Sequence, residues 1–548
     1  MPWTLYRHIA WELVKLMTLT TAIMCMVISF GMAIKPLTEG GLGAGSLLRF
    51  VVLVIPVTMQ FAIPFAAAFA STIVFNRMVN DNEILACSAS GMSYQTVLMP
   101  MIAIGLALTL SMMTLSNTIV PKLYRSAMNL IERDFMNLLV GRLERRESAQ
   151  FGDWVIYADA VDTSSDPPML ENSAIQPKQL VMLEGVAVGR LDNGLIVSAT
   201  TAQRADLLVF DYLGESWITI RMTGGHGYTA GSGGQVQVRS GSVDPMRLGG
   251  RIHDHPRLYT WQQMRDLAVT PEQYFAVNKP KEQLITACAT EHLLKVMVDS
   301  LKSGELQLAG GDHLYRIDAP SVERTENTLM LKATPKGLVD VEVNQITDKG
   351  EDHIRHMTAQ SATLRVVDGE SGKEPWVEPS LIDVRVKEAN GDLPANQSRQ
   401  ISLRPSRWAK TIRANYAELN VDSLLNQANQ LPPSEPIDKS IAFLHNQIER
   451  MARRIMAQMH MRASHSVSCL VVILLGALLS LRYRGRMPLA VYFWSFMLTM
   501  MIMISTLSGE TLLKELKLDP GVGITMVWTG NVVVIMIITH AWWLVRRN

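Results

Sequence analysis

A short polar segment between two long apolar stretches carries the side chains best placed to act on a partner. Asp81 can cap a helix, Glu83 suits the first turn of that helix, and Gly91 can end it in a left-handed turn. The apolar face of this helix would comprise Ile84, Leu85, Ala86 and Ala89. The segment 81–93 therefore has two interpretations: a helical connection between two membrane spans, or a coupling helix that docks on a separate nucleotide hydrolase.

Signatures of catalysis are missing from the rest of the chain. There is no HExxH helix, GxSxG elbow or Walker A loop. Gly369–Glu374 has too short a glycine spacing for a P-loop and indicates a hairpin turn, while Gly41–Gly45 follows an apolar span instead of a strand. His253 and His255 have no further ligands at a suggestive spacing. We therefore expect no enzyme activity, metal or cofactor, and an ATP-driven machine would take its ATPase from another polypeptide.

Composition separates the chain into membrane and water-exposed parts. Of 548 residues, 48% are hydrophobic and 18% charged, and the apolar residues concentrate at the two ends. The net charge of +1 argues against a nucleic-acid-binding protein. The four cysteines, Cys25, Cys87, Cys288 and Cys469, form no CxxC pair or disulfide framework.

Six apolar stretches have the length and composition of membrane-spanning helices, which need roughly 20 mainly apolar residues. They are Leu16–Ile34, Phe50–Phe75, Val97–Val120, Val467–Leu481, Leu489–Leu507 and Ile524–Val545. The first is too long for a cleaved signal peptide and lacks a small-residue cleavage site. The pattern predicts two groups of three spans around a long insert.

Basic residues in short loops predict the orientation. Arg482, Arg484 and Arg486 lie between spans four and five, and the chain ends on Arg546 and Arg547, which places both regions in the cytoplasm. The N-terminus would then be cytoplasmic too, and the insert periplasmic, in a bacterial inner membrane.

Three arginines just before span four contradict that orientation. Arg453, Arg454 and Arg462 would lie on the periplasmic side. They flank a large translocated domain, where the charge rule is weak, so we treat them as an exception.

The insert has mainly the two-residue periodicity of β-strands. Val339–Val343 and Ile382–Val386 alternate apolar and polar residues, and Val186–Val197 indicates a hairpin with a turn at Asn193-Gly194. Two strand-rich stretches, at 150–250 and 305–390, predict jelly-roll or β-sandwich modules. The second could equally extend the first sheet. The expected fold is thus an α-helical membrane bundle with a large inserted periplasmic all-β region.

The expected domain boundaries follow from these patterns. They are 1–120 for spans one to three, 121–275 for a jelly-roll-like domain, 276–405 for an additional β-rich region, 406–463 for a helical connection, and 464–548 for spans four to six.

Several motifs resemble the LptF/LptG (YjgP/YjgQ-type) family of lipopolysaccharide export permeases. They are Glu83-Ile84-Leu85 followed by Ala89, Gly91 and Ser93, a start with Tyr6 and Leu13, a strand Trp154–Tyr157, and Pro520, Trp528 and Asn531 in the last span. Two features depart from the family pattern. The entry to span four reads Gln458–Arg462 without a following proline, and the external domain exceeds the family's usual single jelly-roll.

The resemblance implies specific partners and site residues. In that family two permease subunits, alike or different, pair with a cytoplasmic LptB-like ABC ATPase. They pass lipopolysaccharide or a related glycolipid to LptC- or LptA-like periplasmic bridge proteins. By this analogy the ATPase-coupling residues are Asp81, Glu83, Ile84, Leu85, Ala89, Gly91 and Ser93, and the lipid-phosphate contacts are Lys35 and Arg49. Val155 and Tyr157 would face inward on their strand and either line an apolar trough for acyl chains or belong to the core.

Two other functions compete with the exporter interpretation. The chain could be a membrane-anchored scaffold with a periplasmic binding domain, or a membrane enzyme that acts on envelope lipids or peptides. The missing catalytic constellation argues against an enzyme. The polar segment between spans two and three argues against a pure anchor.

Overall fold

The structure is a computed structural model. It describes residues 3–38, 44–151, 154–164, 179–192, 195–212, 215–229, 235–242, 246–247, 256–335, 337–347, 350–367, 374–388, 396–406, 412–483 and 488–547. It divides into two compact units, Met1–Ala268 together with Ala452–Asn548, and Val269–Met451.

Helices build the membrane part and connect it to the strands. They are α1 (Trp3–Thr38), α2 (Leu47–Asn80), α3 (Glu83–Ala89), α4 (Tyr94–Thr114), α5 (Val120–Glu144), α6 (Trp261–Val269), α7 (Phe275–Ser303), α8 (Arg413–Ala417), α9 (Val421–Ala428), α10 (Glu435–Arg482), α11 (Pro488–Lys514) and α12 (Pro520–Arg547). A π-helical segment, Leu115–Ile119, joins α4 to α5 without a break in the helix.

Six helical stretches among the described residues are long and apolar enough to cross a membrane, which confirms the predicted three-plus-three bundle. They lie in α1, α2, α4 with the π-helical segment and the start of α5, α10, α11 and α12. Span four differs most from its predicted extent of Val467–Leu481, because α10 runs for 48 residues from Glu435 to Arg482. A search for an apolar stretch finds only the part of α10 that lacks charged residues, and the charged first part of the helix is left out.

Small residues let the spanning helices approach closely. A Cβ on Gly530 of α12 would lie 2.7 Å from the Cα of Ile502 in α11. The hydroxyl of Ser480 in α10 donates to the carbonyl of Thr72 in α2 over 3.1 Å. Close backbone approach and interhelical hydrogen bonds drive association where lipid is as apolar as the side chains.

The first unit also contains a β-sheet that follows span three. Its strands are β1 (Ala149–Phe151), β2 (Trp154–Tyr157), β3 (Ala160–Ser164), β4 (Gln179–Asp192), β5 (Leu195–Tyr212), β6 (Glu215–Thr229), β7 (Gln235–Ser242) and β8 (Met246–Arg247). The strand order is β1-β2-β4-β5-β6-β7, with β3 also paired to β4 and β8 to β6. The predicted hairpin is confirmed by the antiparallel β4–β5 pairing, although Asn193 and Gly194 lie outside the described residues.

The end of α5 reaches into the core of this sheet. Leu139 and Leu143 are buried there with Ile156 of β2. The expectation that Val155 and Tyr157 face inward is wrong, since Ile156 is buried and its two neighbours are only half-buried. Side chains alternate along a strand, so Trp154 and Ile156 form the inward face of β2.

The second unit contains a separate sheet, so the two strand-rich stretches do not form one sheet. Its strands are β9 (Leu306–Gly310), β10 (His313–Asp318), β11 (Val322–Thr325), β12 (Thr328–Lys332), β13 (Val339–Thr347), β14 (Gly350–Val367), β15 (Trp376–Glu388) and β16 (Asn396–Ser402). The order is β11-β12-β14-β13-β10-β9, and β15 pairs with β14 and β16.

The predicted alternation holds in β13 and breaks in β15. Val339, Val341 and Val343 are all buried. In β15, Asp383 has a positive φ of 53°, so Val384 is buried while Ile382 is exposed. A left-handed residue turns the strand locally, which two-residue periodicity does not anticipate.

Candidate functional site

The segment between spans two and three is a two-turn helix with tight connections. α3 comprises Glu83–Ala89, so it is shorter than the predicted 81–93. Gly91 has φ of +83°, as expected for a left-handed helix end. Ser93 belongs to the next helix, because its Oγ accepts a hydrogen bond from the amide of Thr96 and caps α4.

Asp81 does not cap α3. It follows the last residue of α2, and its amide donates to the carbonyl of Arg77 over 2.8 Å. Asn82 precedes α3 with φ of 59° and makes no side-chain cap. Because α2 continues to Asn80, only two residues remain to reverse the chain, and a left-handed residue makes that turn possible.

The apolar residues of α3 divide between two faces. Ile84 is 1% exposed and, with Cys87, packs into the core cluster of the membrane bundle. Leu85 is 57% exposed, and Ala86 and Ala89 lie exposed beside it. Glu83 is half-buried in the first turn. One face thus anchors α3 to the spans, while the other presents hydrocarbon outward.

Lys35 lies near the end of α1 and Arg49 near the start of α2, at the ends of these helices that are far from α3. Arg49 is exposed in the first turn of α2. The backbone of Lys35 is in α1, but its side chain lies outside the described part of the structure, as do Gly41–Gly43, His253–His255 and Gly369–Lys373. Among the described residues, no group of three or more His, Cys, Asp or Glu side chains could hold a metal ion.

An apolar groove of about 740 Å³ lies between spans one, two and three. Its walls include Met17, Cys25, Met59, Met112 and Leu115. The hydroxyls of Thr18 and Thr114 also line it, but each donates to a carbonyl of its own helix, of Val14 and Leu110 respectively. The groove therefore presents mainly hydrocarbon.

A buried polar cluster in spans three to five is not among the predicted site residues. Arg462 of α10 is 2% exposed, and its Nη1 donates to Asn117 Oδ1 in the π-helical segment over 3.4 Å. Its Nη2 reaches the carbonyls of Pro256 and Arg257 at 3.4 and 3.3 Å. Nearby, Arg257 pairs with the buried carboxylate of Glu510 in α11, with Nη2 and Oε2 3.6 Å apart.

Arg453 is also buried on α10, which explains two of the three exceptions to the charge rule. Its Nη1 donates to the carbonyls of Glu515 and Leu518, both over 2.7 Å. Arg453 and Arg462 therefore bond to helix and turn carbonyls inside the bundle, and they are not loop charges of the kind that the rule counts. A useful signal was present, since ionisable residues within or beside an apolar span indicate a functional cluster.

A family model described as "Lipopolysaccharide export system permease LptF/LptG" matches residues 7–274 and 324–547 of this chain. No curated protein matches it. The unmatched stretch, 275–323, contains α7, β9 and β10 of the second unit. Apart from Phe275, it lies in the first part of the predicted additional β-rich region, 276–405. Because the match covers most of the chain, including all six candidate spans, the protein belongs to the LptF/LptG family of lipopolysaccharide export permeases.

Proposed function

We propose that the chain is the permease subunit of an ABC-type exporter powered by a separate cytoplasmic ATPase. Membership of the LptF/LptG family makes it a multi-pass inner-membrane permease for lipopolysaccharide export. In this proposal, the chain extracts lipopolysaccharide or a related glycolipid from the inner membrane and passes it to a periplasmic bridge of β-domains. The ATPase binds at α3 and drives this step.

The outward face of α3 is the observation that carries the ATPase proposal. Leu85, Ala86 and Ala89 expose an apolar surface on a helix that Ile84 fixes to the bundle. A short helix with an apolar face is suited to insertion into a groove on a partner. Since α3 connects α2 directly to α4, a push on it would reach both spans.

Features at the other end of the spans support a glycolipid cargo. Arg49 is exposed at the start of α2, and Lys35 precedes it near the end of α1. A guanidinium or ammonium group near the end of a membrane span can bind lipid phosphates. The groove between spans one, two and three offers a surface for fatty-acyl chains.

Further surfaces fit the partners that this proposal requires. A second permease subunit, whether a copy of this chain or a relative, can pack on an exposed apolar stripe of α11. The stripe comprises Leu489, Phe493, Met497, Met500, Ile504 and Leu507. The edge strand β16 pairs only with β15 among the described strands, which leaves backbone groups to accept a strand from a bridge protein.

Co-purification with and without a charge on α3 tests the proposal. The chain is purified in detergent from its native membrane, and the recovery of an ABC-type ATPase is measured for wild type and Leu85→Asp. A buried charge in the interface should lower ATPase recovery about tenfold. Leu48→Asp is the matched control, because Leu48 is 71% exposed at the other end of α2. Equal recovery with Leu85→Asp and wild type would contradict docking at α3.

Substitution of Glu83 provides a second test on the same complex. Glu83→Ala and Glu83→Lys should lower transport-linked ATP turnover while the chain still inserts into the membrane. Unchanged coupling in both variants would remove Glu83 from the proposal. If no ATPase is recovered even with wild type, the scaffold function is favoured instead.

A further inference from the structure

A short turn after the first sheet is held by arginines from two helices. This exit turn, Pro256–Leu258, is a single turn of 3-10 helix. Arg462 donates to the carbonyls of Pro256 and Arg257, and Arg125 of α5 donates to the carbonyl of Leu258 over 3.0 Å. All three consecutive carbonyls of the turn therefore accept from a guanidinium. The carbonyl of Pro256 also accepts from the amide of Tyr259 over 3.2 Å. Buried carbonyls need hydrogen-bond donors, and the two arginines supply them here.

The exit turn also reaches a third helix through its own side chain. Arg257 pairs with Glu510 of α11, whose other carboxylate oxygen accepts from Lys514 over 2.7 Å. Leu258 is buried in one apolar cluster with Val120 and Ala127 of α5. The turn therefore contacts α5, α10 and α11 through groups of different kinds.

The helix α5 connects these contacts to the first β-sheet. Its beginning joins the π-helical segment, where Asn117 accepts from Arg462, and its end buries Leu139 and Leu143 in the core of the sheet. The amide of Asn117 donates to the carbonyl of Met113 over 2.8 Å, which fixes its oxygen toward Arg462. π-Helical segments occur often at functional sites.

We propose that Arg462 is a positioning residue that locks α5, through the exit turn, to α10 and α11. Movement of spans four and five during transport is thereby passed to the first β-sheet. The inference rests on the proposed function, since it assigns the path by which ATP-driven movement reaches the β-domain.

A purely stabilising role would not require this residue type. Burying a guanidinium costs desolvation energy, and replacement of buried charged groups by apolar side chains of similar volume is often neutral or stabilising. Arg462 instead contacts two elements at once with the fixed fork of its guanidinium. Such geometry defines the relative position of the elements that it joins.

Reconstitution of the full complex in lipid vesicles tests the inference. Lipopolysaccharide transferred per ATP hydrolysed is measured for wild type, Arg462→Met, Arg462→Lys and the control Arg454→Met. Arg454 lies on the same helix and is only half-buried. We expect Arg462→Met to lower the transfer per ATP about five- to tenfold, with ATP hydrolysis nearly unchanged. Arg462→Lys should recover part of it, because one ammonium can reach some of the acceptors.

A distance measurement separates positioning from stability. Nitroxide labels are placed at exposed Gln203 on β5 and exposed Lys517 after α11, and the distance is compared before and after ATP binding. We expect an ATP-dependent shift in wild type and in Arg454→Met, and its loss in Arg462→Met. If Arg462→Met does not fold, Arg257→Gln at the part-exposed end of the cluster should give the same loss.

The outcomes distinguish this inference from the function on which it rests. If the Arg462 and Arg257 variants match wild type in transfer per ATP and in the distance shift, the inference is overturned. The proposed function would then still stand. If the wild-type complex shows no ATP-driven transfer, the proposed function is wrong and the role of Arg462 is overturned with it.

Discussion

At the scale of single residues, burial decides what a side chain does. Arg454 and Arg462 lie on the same helix, but only Arg462 is buried and bonded to the exit turn. Ile84 and Leu85 are adjacent, yet one belongs to the core and the other to the surface. Neighbours in sequence therefore have different functions, because helical geometry turns successive residues by about 100°.

His292 of α7 gives the residue-scale prediction. Its Nδ1 lies 2.8 Å from the hydroxyl of Tyr416, and burial together with the charge of Lys295 lowers its pKa from the ordinary value of 6.5. Burial raises the pKa of Tyr416 to about 12, so the hydroxyl keeps its proton and can donate it to a neutral imidazole. Protonation of His292 would remove that acceptor.

The sign of the pH dependence follows from this lowered pKa. Below pH 6.5 the unfolded chain binds a proton that the folded chain still excludes, so stability falls from there down to the folded-state pKa. Scanning fluorimetry at about pH 7.5 and about pH 5.5 should show a smaller loss of Tm on acidification for His292→Gln than for wild type. His445→Gln, at an exposed histidine, is the control. Identical losses in all three proteins would contradict the prediction.

At the scale of elements, the contacts between helices depend on residues without side chains. Gly530 of α12 faces the backbone of Ile502, and a Cβ on Gly509 of α11 would lie 2.5 Å from the amide nitrogen of Val527. α11 and α12 thus meet through glycines on both helices. Dense packing of this kind transmits a shift of one helix to the next, because the interface cannot compress.

Gly530→Val tests that interface. Its side chain would clash with Ile502 and Ser505, and overpacking of this kind costs about 2 kcal/mol. We expect a lower Tm for the detergent-purified protein. Gly31→Val in α1 is the matched control, because a Cβ at that position would meet no atom within 4 Å beyond the adjacent backbone of its own helix. A Tm equal to that of wild type for Gly530→Val would show that α12 can move aside.

At the scale of the whole molecule, orientation in the membrane decides whether export is feasible. The predicted cytoplasmic ends carry arginines beside aromatic rings, and the guanidinium of Arg547 lies 3.9 Å from the ring centre of Trp543. Tryptophan is enriched at both surfaces of a membrane, whereas arginine is enriched in the loops on the cytoplasmic side. The buried state of Arg453 and Arg462 removes two of the three charges that opposed this orientation.

Thiol labelling in cells tests the orientation directly. Single cysteines are introduced at exposed Thr201 in the first sheet, Arg399 in the second sheet and Ser90 after α3, while the four native cysteines are buried. A membrane-impermeant maleimide, applied with a permeabilised outer membrane, should label the first two positions. Ser90→Cys should react only after lysis. Labelling of Ser90→Cys in intact inner membranes would eliminate ATPase docking at α3.

The sequence by itself determined the features that depend on local patterns. Six spans follow from apolar length, because a bilayer demands continuous helices of that size, and the strands follow from alternation. The short helix after span two follows from Glu83 and Gly91. Motifs of the same kind also identified the family.

Only the tertiary structure decided which of these elements meet. Arg462 contacts Asn117 and Pro256, which lie hundreds of residues earlier in the chain, and no local pattern pairs them. The division of α3 into an anchored and an outward face also required the bundle beside it. Hydropathy and periodicity depend only on residues that are close to each other in the sequence. Partners across space are chosen by packing and by the need of buried polar groups for hydrogen bonds.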